Sequence, residues 1–153
     1  MTDILVTDKL IHLRNDRISY IIGILDGGVV AHLYFGARLA QISMDNILCR
    51  HNVHDGAGFT LNGCTLDLVP QEYPAFGLGD MREGAVTVTR ADGTRTVDLR
   101  FVSAAVEDGK PSLPGLPATF GGAKTLRLTL ADALLGLEVF IINRGRSDMT
   151  PLP

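Results

Sequence analysis

The sequence predicts an all-β fold, an antiparallel β-sandwich built as one domain. Three observations predict it. Seven or eight short apolar runs, rich in β-branched residues, recur with turn signals between them. Several of these runs alternate apolar with polar residues, which buries one side of a strand and wets the other. No stretch carries the periodicity of a long amphipathic helix.

The elements follow in order. Residues 10–13 form a short apolar run, and residues 17–25 a longer one containing Ile18, Tyr20, Ile21, Ile22 and Ile24. Asn15 and Asp16 between them read as a hairpin turn. Asp26-Gly27-Gly28 supplies residues that tolerate positive φ, and residues 29–35 return. The first 35 residues are therefore an antiparallel meander. Residues 36–70 have less pattern: 39–42 fit either a strand extension or one helical turn, 49–58 a long polar loop, and 59–61 a short strand. Residues 71–82 are irregular, because Pro74, Gly77 and Gly79 break both helix and strand.

Residues 85–90 set Val86 and Val88 against Thr87 and Thr89, which predicts a strand. Asp92-Gly93 is a hairpin signal, and residues 94–106 read as the returning strand, with Val97, Leu99 and Phe101 on one face and Asp98 and Arg100 on the other. Residues 107–111 turn, and 112–122 cross irregularly with Pro114 and Pro117. Residues 124–130 alternate Leu126, Leu128 and Leu130 against Thr125, Arg127 and Thr129. Ala131 and Asp132 begin a turn that Gly136 closes, and residues 137–142 are the last strand. The domain is thus expected to span 1–142, with 143–153 a disordered surface tail.

Composition narrows the function. With 46% hydrophobic and 20% charged residues the chain is not of disordered type. A net charge of −3 without any basic run argues against nucleic acid and against anionic membranes as partners. No apolar run approaches the about 20 residues of a membrane helix. The N-terminus lacks a basic region followed by an apolar run, so the protein is expected to be soluble and cytoplasmic. Cys49 and Cys64 do not make a disulfide framework and are expected to be reduced.

Candidate chemistry is sparse. Cys49, His51, His54 and Asp55 crowd ligand-type side chains together, but no second cluster follows at zinc spacing; neither a metal nor a cofactor is expected. There is no Gly-x-Ser-x-Gly elbow, and Gly77-Leu78-Gly79 lacks the Lys-Ser/Thr of a phosphate loop. The richest stretch is Gln71-Glu72-Tyr73-Pro74-Ala75-Phe76-Gly77-Leu78-Gly79-Asp80-Met81-Arg82. Glu72 and Asp80 could form an acid pair of the glycosidase kind. Alternatively Arg82 salt-bridges Asp80 and rigidifies the loop. Spacing on an irregular loop leaves both readings open.

Five segments carry a resemblance. His32-Leu33-Tyr34-Phe35-Gly36 resembles a His-Leu-Tyr-Tyr-Gly strand end. Gln71-Glu72-Tyr73-Pro74, Gly77 and Gly79-Asp80-Met81-Arg82 resemble Gln-Glu-Tyr-Pro…Gly-x-x-Asp-Phe-Arg. Asp98-Leu99-Arg100-Phe101 is similar to Asp-Phe-Arg-Tyr. The run from Gly109-Lys110-Pro111 to Leu116-Pro117-Ala118-Thr119-Phe120 is similar to Gly-Lys-Pro-x-Leu-x-Gly-Leu-Pro-Ala-Thr-Tyr. Thr125-Leu126 through Leu130 and Gly136-Leu137-Glu138-Val139 match the block that follows. In this order they resemble the N-terminal domain of glycoside hydrolase family 36, the bacterial α-galactosidases and raffinose-acting enzymes.

The resemblance implies a β-supersandwich that precedes a (β/α)8 barrel, where two carboxylates carry out retaining hydrolysis. The barrel's nucleophile lies in a Trp-Asp strand motif. This chain has no tryptophan, so no catalytic residue carries over, and alone it is expected to be inactive. A supporting role does carry over: oligomerisation, and loops that wall the sugar site. The matching positions are Glu72, Tyr73, Asp80 and Arg82, with Asp55 as a further candidate. Gly84 departs from a common proline, and residues from Asn143 onward do not continue the family pattern, so the chain is expected to hold only the first half of that domain. Half a sandwich exposes apolar edges, which predicts self-association as a dimer or higher oligomer. The partners implied are a second copy of the chain and, in the full-length context, α-galactoside sugars. The competing reading is a free-standing carbohydrate-binding β-sandwich protein.

Overall fold

The computed structural model describes residues 3–40, 42, 43, 60, 61, 64–77, 80, 82–111, 123–132 and 138–144. Alternating apolar residues and short turns organise these into an all-β sandwich. The first sheet runs β1 (Asp3–Val6), β2 (Leu10–Arg14), β3 (Ile18–Ile24) and β4 (Val30–Ala37), antiparallel and in chain order. Its turns have local causes. Thr7 Oγ1 bonds Leu10 between β1 and β2. Asn15 Oδ1 accepts the amides of Arg17 and Ile18, both at 2.8 Å, between β2 and β3. Between β3 and β4 a 3-10 turn spans Asp26–Gly28, where Gly27 and Gly28 take φ of 79° and 80°.

A two-stranded ribbon of β5 (Thr60–Leu61) and β6 (Cys64–Thr65) leads into a 3-10 turn at Leu66–Leu68. The second sheet is β7 (Leu99–Asp108), β8 (Lys124–Asp132) and β9 (Glu138–Arg144), again antiparallel in chain order.

The core lies between the two sheets. Ile4, Ile11, Leu13, Ile22, Ile24 and Val30 come from the first, and Leu126, Leu128 and Leu130 from the second. Each such fully buried aliphatic side chain contributes about 1.5–3 kcal/mol. Tyr20, Tyr73, Leu99, Phe101 and Ala104 pack at its margin. A smaller cluster of Val29, Ala31, Leu66 and Val69 fixes the second 3-10 turn to the start of β4.

Several expectations need correction. Residues 85–90 are not a strand, and β7 begins at Leu99 and pairs with β8 instead. Val-Thr alternation supplies a strand's side chains but not its partner. Here the Ala85 amide donates to Pro74 O at 2.7 Å, Val86 bridges Ala75, and the Val97 amide donates to Phe76 O at 2.9 Å. Both flanks of the turn thus lean on the 71–82 loop, and away from the turn itself they form no ladder with each other. The Asp92-Gly93 turn itself forms, with Gly93 at φ 83° and the Arg90 amide donating to Thr94 O at 3.0 Å. Ala131 and Asp132 continue β8 instead of turning. Thr125, expected on the wetter face, is 1% exposed and donates to Gly109 O at 2.7 Å. β1 is an additional strand, and β9 runs through Asn143 and Arg144. Leu39, Ala40 and Ile42 are neither strand nor helix. The loops 49–58 and 112–122, and residues 145–153, lie outside the described residues.

Candidate functional site

The loop from Gln71 to Arg82 starts as an appendage of β4. His32 N donates to Pro70 O at 2.6 Å, Glu72 N donates to Val30 O at 3.0 Å, and Gln71 bridges Ala31. That placement sets Glu72 over the core-side face of β3 and β4. Tyr20 pairs with Phe35 across these strands and Ile22 with His32, so Tyr20 and His32 present polar tips at the margin of the core.

Glu72 joins them. Tyr20 OH donates to its carboxylate, 2.5 Å from Oε1 and 2.7 Å from Oε2, and His32 Nδ1 lies 2.9 Å from Oε1. The Tyr20 and His32 rings meet edge-on, with centroids 5.0 Å apart. Burial, then the Glu72 carboxylate, pushes the Tyr20 phenol well above its ordinary range. It therefore stays a donor at any physiological pH.

Asp80 forms the second half of the site. Its amide donates to Gly77 O at 3.1 Å, and the residue is 2% exposed. Arg82 grips the carboxylate with Nε on Oδ1 at 2.9 Å and an Nη on Oδ2 at 2.7 Å. The Arg82 amide adds a bond to Oδ1 at 3.1 Å, and Gln71 Nε2 one to Oδ2 at 2.7 Å. The same Arg82 Nη reaches Leu66 O and Val69 O, each at 2.8 Å. Hydrogen bonding from Arg82 outweighs burial and holds the Asp80 carboxyl below its ordinary range. A buried carboxylate with both oxygens bonded and its proton affinity depressed is not a general acid. The acid-pair reading of Glu72 and Asp80 therefore fails at Asp80, and the rigidifying reading describes what the geometry does.

Tyr73 is half-buried against the core, and Phe76 is 44% exposed. A shallow cleft between the loop and β7 is lined by Gln71, Tyr73, Ala75, Val97 and Arg100. Arg100 is engaged there, pairing with Asp98 and donating to Gly27 O at 3.1 Å. Asp55 lies outside the described residues, as do Cys49, His51 and His54. Among the described residues no group of three or more His, Cys, Asp or Glu side chains converges as metal ligands do.

Residues 28–142 match the family model of the Glycosyl hydrolase family 36 N-terminal domain. The chain belongs to that family. Alpha-galactosidase AgaA of Geobacillus stearothermophilus is 36% identical over 141 residues, which cover 86% of this chain and 19% of the relative. Alpha-galactosidase Mel36A of Lactobacillus acidophilus is 35% identical over 151 residues, covering 91% and 20%. The crystal structure of the family 36 alpha-galactosidase AgaB of Geobacillus stearothermophilus superposes with a TM-score of 0.81 at 32% identity, covering 92% of this chain and 20% of that one. A variant of AgaA solved in complex with raffinose gives 0.78 at 34% identity, covering 88% and 20%. The chain thus spans about a fifth of the length of these relatives.

Within this family 36 domain, the loop residues marked by resemblance come together in two groups. Glu72 joins Tyr20 and His32, while Asp80 and Arg82 join Gln71 and the Leu66–Leu68 turn. Tyr20 was not among the sequence candidates. Its signal was a polar-tipped aromatic on the core-facing side of β3, a position that calls for a buried acceptor.

Proposed function

We propose that this chain is a non-catalytic N-terminal module of an α-galactosidase, which supports oligomerisation and holds the rim of the sugar site in an enzyme acting on α-galactosides such as melibiose and raffinose. The family match, combined with coverage of about a fifth of the relatives, carries this reading. The site agrees with it. Asp80 spends its carboxylate on Arg82 and Gln71, and Glu72 spends its own on Tyr20 and His32. Both acids act as positioning groups that hold the loop in place for the rim. Self-association is supported by exposed apolar residues on edge strands, Leu5 and Val6 on β1 and Val102 and Val106 on β7, and by Phe35 at 59% exposure.

Calorimetric titration of galactose, melibiose and raffinose into the chain, alongside a chromogenic α-galactoside assay, tests the proposal. No saturable binding and no turnover are expected. Saturable binding would instead make it a free-standing carbohydrate-binding protein, and turnover abolished by Asp80→Asn would overturn the module reading outright.

A further inference from the structure

The face of the first sheet turned away from the core carries a buried polar cluster that the candidate site does not use. His12 and Ser19 alternate with Ile11, Leu13, Tyr20 and Ile22, which face the second sheet, so they point the opposite way. His12 is 4% exposed and Ser19 0%. His12 Nε2 and Ser19 Oγ lie 2.9 Å apart, and the Leu39 amide donates to the same Oγ at 2.9 Å. Leu39 sits just past the end of β4, next to Arg38, whose amide donates to Arg17 O at 2.9 Å. The chain leaves the first sheet here, fastened to β3 through a serine that a histidine also holds.

Counting donors and acceptors sets the protonation state. Leu39 N–H occupies one lone pair of Ser19 Oγ. The hydroxyl proton then needs an acceptor, and among the described residues Nε2 of a neutral His12 is the one in reach. With Nε2 protonated, Ser19 Oγ would receive two donors and its own proton would be orphaned in a sealed site.

We infer that His12 is a proton-sensitive catch: when neutral it holds Leu39 to β3 through Ser19, and when protonated it releases Leu39. The charged groups around it favour release. Arg14 on its own strand and Arg38 on the fastened segment repel an imidazolium, while Asp3 on β1 attracts it more weakly than burial and Arg14 oppose it. On β3, Ser19 and Ile21 are the neighbours on this face and neither is ionisable. Burial lowers the proton affinity of His12 below its ordinary value. The sign follows. The released state takes up the proton first, so attachment is complete above the ordinary imidazole value of about 6.5 and weakens as pH falls below it.

Amide hydrogen exchange on the intact chain tests this, read as protection factors so that intrinsic pH effects cancel. Between about pH 7.5 and about pH 5, Leu39 protection should fall by about tenfold or more, while the β2–β3 ladder amides hold theirs. The fall at Leu39 should be absent in His12→Gln, whose side chain is neutral throughout. The inference is overturned if wild-type Leu39 protection is constant over this range. It is equally overturned if Leu39 falls only in step with the ladder amides, or if the selective fall persists in His12→Gln. The wild-type measurement stands alone if His12→Gln does not fold.

Discussion

Arg82 folds back on Asp80, two residues earlier, and binds both carboxylate oxygens while the same guanidinium caps the carbonyls of Leu66 and Val69. One side chain thereby closes the loop on itself and fastens it to the preceding 3-10 turn. Asp80 is 1% exposed at its side chain and Arg82 41%, so loss of the pair is costlier on the acid's side. Asp80→Asn should destabilise the chain by about 2 kcal/mol, short of the about 3–5 kcal/mol of a fully buried pair because Arg82 can turn to water. Urea unfolding would read this as a lowered midpoint at unchanged slope.

The same pair makes the stability of the chain depend on pH. Arg82 holds the Asp80 carboxyl below its ordinary range, so the folded chain binds that proton less readily than the unfolded one. The contribution is full above the unfolded value of about 3.9 and is lost as pH falls through the lower folded value. Wild type should therefore lose stability between about pH 5 and about pH 3 more steeply than Asp80→Asn. Parallel curves would remove Asp80 from the acid limb.

Glu72 is held by Tyr20 and His32, 52 and 40 residues away along the chain, and so ties the loop to the first sheet. Glu72→Gln should cost about 1–2 kcal/mol and Tyr20→Phe about 1 kcal/mol. The double variant should cost less than the sum, because both remove one bond. Strict additivity in thermal or urea unfolding would show that the two side chains do not act as a pair.

Much of the fold is legible in the sequence, for local reasons. The meander through β4 follows from Ile18, Ile22 and Ile24 between turns at Asn15 and Asp26-Gly27-Gly28, and β8 from its alternating leucines. Residues 85–90 mislead because Val86 and Val88 alternate as a strand does, while ladder formation depends on partners that pattern does not encode. β1 is only four residues long and carries little pattern of its own. The Asp80–Arg82 pair lies within two residues and can be anticipated. Glu72's partners cannot, since only tertiary folding brings β3 and β4 beneath it. The family resemblance finds the loop, but the geometry shows that its acids are already occupied.

Two loop glycines should separate backbone strain from crowding. Gly93 has φ 83° in open space, so Gly93→Ala meets only the left-handed penalty of about 1–2 kcal/mol. Gly77 has φ 131°, and a Cβ there would stand 2.6 Å from Thr96 Cγ2 and 3.3 Å from Thr96 Cα. Gly77→Ala should cost more, about 3 kcal/mol, because the strained backbone cannot relax without moving the Thr96 segment that β7 continues. A smaller loss at Gly77 than at Gly93 in urea unfolding would mean the loop yields around Thr96.

β7 is ten residues long and terminal in its sheet, and it exposes Val102 by 55% and Val106 by 40%. Long apolar edges pair with other chains unless charge or a bulge blunts them. Here the register shift between Phe101 and Ser103 blunts main-chain pairing at that point but leaves the Val102 side chain exposed for an apolar contact. If this edge serves the proposed self-association, light scattering should find a dimer or larger species, and Val102→Lys should weaken it by about tenfold or more, since burying an unpaired ammonium is unfavourable. A wild type that stays monomeric at high concentration would overturn self-association. An unchanged assembly in Val102→Lys would move the contact away from β7, to β1 with Leu5 and Val6 or to the surface around Phe35.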